Sequence, residues 1–298
     1  MSLKETIQQA IPGWTGRLAC HHMTYLGDGH VHRAVPYNPT DSKVIAKKFS
    51  LMQAAGIDMV IATWQGPFAL SAHLDATLTA MMCAEMGMQF ALLLDPWCAK
   101  LNSKGESQDF TGNVTAALQY PSSVAMLNGS SYVPEKYILD FGTGANLTTL
   151  GKTFPNYKFL GRGTGFSWIN IPPATITDSP AKNAWAVADL KTQHANPAMK
   201  VASVCYSFDD SGQPLPVGVA TQAAFDAAGG KRDPLSSVWG GPARILESFA
   251  GQFGEQQLAT IPATVPIIAV ISIDDYDEQS SGPLEKVLAE EAGENWAD

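Results

Sequence analysis

Short apolar runs alternate with helix-patterned segments along most of this chain, and that alternation restricts its fold more than any other feature. Short apolar runs bounded by turn-forming residues read as buried strands, and apolar residues recurring every three or four positions read as one face of a helix. The first three strands are predicted over 17–26 (RLACHHMTYL), 57–63 (IDMVIAT) and 89–94 (QFALLL). Thr40 or Asp41 caps a helix after the first, with Ile45, Phe49 and Met52 on one face and Gly56 as its stop. Ser71 caps the next, with Leu74, Leu78 and Met81 on one face and Gly87 near its end. The second and third strands start about 32 residues apart, the length of one strand–helix unit.

Further strands are expected over 137–141, 158–160, 199–208 and 266–273, with a weaker one over 237–240. Helices are expected over 110–127, 145–154, 181–193, 221–228, 242–253 and 283–292. Such alternation argues for a parallel sheet. Eight units in 298 residues would average about 37 residues each, ordinary for a (β/α)8 barrel. The expectation is therefore an α/β chain with a single TIM-barrel domain over 17–298, preceded by an N-terminal extension over 1–16. An open, doubly wound sheet has the same alternation. Met1-Ser2-Leu3 is compatible with a vector-derived lead, which leaves room for a trimmed secretory leader; the stretch to Trp14 has no apolar core of its own, and location is not legible.

Composition narrows the partners. With 19 basic and 28 acidic residues the net charge is −9, which repels phosphate backbones. The densest basic clusters are pairs, Lys47-Lys48 and Lys231-Arg232, so nucleic acid is not an expected partner. Hydrophobic residues make up 45% and charged residues 16%, enough apolar side chain for a large core. No apolar run reaches the roughly 18–20 residues needed to cross a bilayer, so no membrane span is expected. The four cysteines form no C-x-x-C pair and read as buried hydrophobes. Oligomeric state is not legible.

Barrel chemistry gathers at the C-terminal ends of the strands, and here those ends are polar or aromatic. The first supplies His21, His22 and Tyr25, the second Trp64 and Gln65, the third Asp95 and Trp97, the fourth Asp140. Later regions supply Arg162, Trp168, Tyr206, Asp209 and Trp239, and the last run, ISIDDYDE, supplies Asp275 and Glu278. His21 and His22 point to opposite faces of one strand, so at most one faces the barrel mouth. Carboxylates at strand ends also cap helices, a reading that fits Asp95 and Asp210 equally well. Aromatic faces stack on sugar rings, and carboxylates bind hydroxyls. A pocket holding several of each fits an oligosaccharide or polysaccharide better than a phosphate or an apolar ligand. Two carboxylates are also the minimum for glycoside hydrolysis, one protonating the leaving oxygen and the other activating water or attacking the anomeric carbon. Asp275 and Glu278, three apart beyond an apolar strand, can aim into one pocket.

Several of these segments resemble the (β/α)8 glycoside hydrolases of families 71 and 99. Ala54-Ala55-Gly56-Ile57-Asp58 leading into VIATWQGP resembles their second strand, and FALLLDPW their third. ISIDDYDE is similar to the family 71 segment Trp-Asn-Asp-Tyr-Gly-Glu, with Asp275, Tyr276 and Glu278 on its Asp, Tyr and Glu. The resemblance implies a glycosidase acting on an α-linked glucan or mannan, with Asp275 and Glu278 as the catalytic pair. The chain departs from the pattern at Ile273 and Asp274, where those enzymes carry Trp-Asn, and at Gln279-Ser280.

Two other readings use the same residues. A non-catalytic glycan-binding barrel would keep the aromatic wall without the chemistry. A metal-dependent hydrolase would use His30 and His32, a His-x-His after the first strand, with Asp275. The histidines beyond that region, His73 and His194, fall in predicted helices, so no metal is expected. No cofactor is expected either. Gly161-Arg162-Gly163-Thr164-Gly165 lacks the helix start of a dinucleotide fingerprint, and Lys231 is followed by Arg232 rather than by Ser or Thr.

Overall fold

The computed structural model describes residues 2–24, 41–100, 109–129, 136–170, 175, 179–205 and 256–271. Its strands are β1 (Arg17–His22), β2 (Met59–Trp64), β3 (Gln89–Leu94), β4 (Tyr137–Asp140), β5 (Lys158–Gly161), β6 (Val201–Val204) and β7 (Ile267–Val270). All seven lie in one sheet in the order β5-β4-β3-β2-β1-β7-β6, and every pairing is parallel. The alternation therefore folds into the parallel α/β sheet it predicts.

The sheet is curled, and alternate residues separate its two faces. Leu18, Cys20, Val60, Ala62, Phe90, Leu92, Ile138, Val204 and Val270 pack with the helices in one core. Ala19, Met59, Ile61, Ala91, Leu93, Tyr137, Leu139, Val201 and Ala269 pack against one another inside the curl. Burial on both faces explains why these strands read as continuous apolar runs. At the two sheet edges, Phe166 makes single parallel bridges to Arg162, just past β5, and to Val201, the first residue of β6.

The helices are α1 (Leu3–Ala10), α2 (Ser42–Ala54), α3 (Leu70–Glu85), α4 (Phe110–Leu118), α5 (Pro121–Gly129), α6 (Leu147–Thr153) and α7 (Ser179–His194), with a 3-10 turn at Pro96–Ala99. In α2 the Asp41 side chain accepts from Lys43 N at 2.8 Å, and Ile45, Phe49 and Met52 are buried as the spacing predicts. Three other expectations change. Residues 110–127 are two helices rather than one. Pro121 has no N–H to donate and disfavours helical backbone before it, so α4 closes at Leu118 and α5 restarts at Pro121. Ser71 is not the cap of α3; Ala69 holds that position without a side-chain bond. The stripe Leu74–Leu78–Met81 is not the buried face of α3 either. Leu74 and Met81 are 49% and 63% exposed, and Ala72, Ala76, Thr79, Ala80 and Cys83 face inward. Small side chains let α3 approach the sheet closely, and that outweighs the larger transfer energy of the leucines.

Residues 2–16 share the core of the sheet. Ser2 and Glu5 form a reciprocal capping box, Leu3 and Ile7 are buried, and Trp14 Nε1 donates to Val265 O at 2.8 Å. A Ser-x-x-Glu pair before an amphipathic stretch is the signal that foretells α1.

Candidate active site

The strand ends expected to carry chemistry divide between the two faces of the sheet. His22 follows Leu18 and Cys20 and so faces the helices. It is buried, and its Nε2 donates to Asp75 Oδ1 of α3 at 2.9 Å. Thr79 and Lys48 line the same water-sized space. Trp64 also lies on the helix side, fully buried. Its indole N–H donates to His73 Nδ1 at 3.0 Å, which places the His73 proton on Nε2, 2.6 Å from Ser122 Oγ. Burial lowers the His73 pKa. Both His22 and Trp64 thus brace the helical layer.

The rim carboxylates among the described residues serve turns. Asp95 Oδ1 accepts from Trp97 N at 2.9 Å and starts the 3-10 turn. Asp140 Oδ1 accepts from Thr143 N at 3.2 Å and Thr143 Oγ1 at 2.5 Å. Burial raises the Asp140 pKa while the Thr143 bonds oppose it. Trp97 is 53% exposed, with Lys100 Nζ 4.2 Å from its ring centre.

Inside the curl the picture differs. His21 shares its face with Ala19 and is fully buried. The Trp168 ring meets it edge-on with centroids 4.8 Å apart, and the Phe141 ring meets Trp168 the same way at 4.8 Å. Arg162 lies over Phe141 at 4.4 Å and donates to Asn170 Oδ1. His21 Nε2 is 3.4 Å from Ser203 Oγ, a long contact, and Nδ1 has no hydrogen-bond partner among the described residues. Burial pushes the His21 pKa down to about 3, so the ring is neutral and offers one donor and one acceptor nitrogen.

Of the predicted site residues, the described structure therefore gathers Trp168 with His21, Phe141, Arg162 and Ser203. His22, Trp64, Asp95 and Asp140 have other duties, and Trp97 lies on the open surface. Tyr25, His30, His32, Tyr206, Asp209, Asp210, Trp239, Asp275 and Glu278 lie outside the described residues. Among the described residues no group of three His, Cys, Asp or Glu could hold a metal ion, and no helix is long and apolar enough to cross a membrane. The sequence names His21 and His22 together at the end of the first strand, but its reading favours His22 for the site, and Ser203 is not singled out. A usable signal was present: Leu18 and Cys20 alternate as the helix-facing apolar pair, which puts His22 with them and His21 opposite. No protein-family model and no curated protein matches this chain.

Proposed function

We propose that this chain is a glycan hydrolase on a (β/α)8 barrel, working at the C-terminal rim of the sheet. The observation that carries the reading is His21, a neutral, buried imidazole with an unpaired nitrogen beside the Trp168–Phe141 aromatic corner. A sugar hydroxyl satisfies such a nitrogen, and a sugar ring's C–H face packs on indole. The single parallel bridges of Phe166 to Arg162 and Val201, at the two sheet edges, support the barrel reading.

Asp275 and Glu278 are the catalytic pair in this reading. They follow β7 directly, four and seven residues beyond Ile271, and β7 pairs with β1, the strand that carries His21. One of them protonates the leaving oxygen and the other attacks or activates water. The substrate is an α-linked glucan or mannan. Release of reducing sugar from a panel of these polymers tests it. Wild-type protein should release sugar, and Asp275→Asn and Glu278→Gln should each abolish release; no release from any polymer, or release untouched by both substitutions, contradicts it.

A second reading, a non-catalytic glycan-binding barrel, is favoured by one observation. Asp95 and Asp140, the strand-end acids among the described residues, each accept hydrogen bonds from a local turn, so neither needs to act as an acid or base to account for its place at the rim. Saturable glycan binding without sugar release would select this reading.

A further inference from the structure

The opposite end of the sheet holds a cavity of about 560 Å3. It spans the N-terminal ends of β1, β2 and β3, where Arg17, Asp58 and Gln89 line it. Lys4 of α1, Gln53 near the end of α2 and Met86 at the end of α3 complete the wall. That wall is fixed. Gln53 Nε2 donates to Met86 O at 3.1 Å. A Cβ on Gly16 would meet Pro266 O and Trp14 Nε1 at 2.5 Å, and one on Gly56 would come 2.8 Å from Lys4 Cβ. The cavity's volume suits a small organic molecule.

Its polar groups are unevenly satisfied. Asp58 Oδ2 takes Lys4 Nζ at 2.5 Å and Leu18 N at 3.0 Å. Arg17 is half-buried and pairs with no carboxylate among the described residues. Gln89 Oε1 is buried and accepts from nothing among the described residues. An unpaired guanidinium calls for an anion, and an orphaned amide oxygen calls for a donor. Lys4 and Arg17 outweigh Asp58 in the lining, so a donor that is itself a cation is disfavoured and a hydroxyl is preferred.

We infer that this cavity binds a small hydroxylated carboxylate of the sugar-acid class, with the carboxylate on Arg17 and a hydroxyl donating to Gln89. The inference is independent of the hydrolase reading, because the two sites occupy opposite ends of the strands.

Glucuronate is the probe, titrated calorimetrically into the full chain. It should bind saturably, and more tightly than either glucose, which lacks the carboxylate, or hexanoate, which lacks the hydroxyls. Arg17→Gln should weaken glucuronate binding about tenfold or more, the effect of losing one charged hydrogen bond. Hydrogen exchange on the unsubstituted protein provides the second measurement. Glucuronate should slow exchange in 15–18 and 86–89. Absence of saturable binding, equal affinity in Arg17→Gln, or protection confined to the C-terminal rim would each overturn the assignment.

Discussion

The two faces of the sheet treat buried polar side chains in opposite ways. Behind the sheet, His22 is tied to Asp75 and His73 to Trp64 and Ser122. His194, at the end of α7, joins Ser167 Oγ at 2.8 Å and Thr260 Oγ1 at 2.7 Å. Ser203 N donates to the same Ser167 oxygen at 2.7 Å, which anchors β6 to the bridging segment. Inside the curl, His21 is equally buried, yet one nitrogen is unpaired. A buried polar group left unsatisfied costs about 1–3 kcal/mol. Among the described residues, the other buried imidazoles are paired within the fold and His21 keeps one nitrogen without a hydrogen bond.

Acid produces the largest effect, and it acts on both faces alike. Burial holds His21 near pKa 3 and His194 near 4, both below the ordinary 6.5. The unfolded chain therefore binds more protons in this window, so the stability is fully present above about pH 6.5 and is lost as pH falls toward those folded values. Each imidazole contributes a slope of about 1 kcal/mol per pH unit. Denaturant melts taken down to about pH 4 should show a loss of several kcal/mol. His21→Phe should shallow that slope, and an unchanged slope would mean that His21 is solvated in the native state.

Asp75→Ala comes next. It removes the buried carboxylate to which His22 Nε2 donates and should cost about 3 kcal/mol, read as a lower denaturation midpoint. His194→Ala removes the partner of both Ser167 and Thr260 and should cost about 2 kcal/mol by the same assay. On the inner face the sign reverses. His21→Phe removes an unsatisfied group and should raise stability by about 1 kcal/mol at neutral pH; destabilisation as large as that of His194→Ala would erase the contrast between the faces. The smallest effect belongs to Phe68→Ser. Phe68 is 61% exposed and touches Tyr120 at 5.8 Å between centroids, so its loss should stay within about 0.5 kcal/mol.

The strands were legible because burial on both faces writes itself as an apolar run; QFALLL gives β3 to the residue. Helix α2 was legible because Asp41 and Gly56 punctuate a regular stripe, with Gly56 at a φ of +79°. Helix α3 was legible in its extent but not in its buried face, because that face is built largely from alanine and threonine, which carry little periodic hydrophobic signal. The site was less legible than the fold. A strand end shows which residues reach the rim but not which face they take, and a shift by one residue exchanges His21 for His22. Asp95 and Asp140 look alike as catalytic acids or as turn caps until their hydrogen bonds are seen.

The central claim is that the free nitrogen of His21 serves a sugar. Binding of the preferred α-glucan or α-mannan oligosaccharide should be measured on wild-type protein and His21→Phe, alongside their melting temperatures. The account predicts a variant that melts higher and binds the oligosaccharide at least about tenfold more weakly. A variant that binds it as tightly as wild type would contradict the claim.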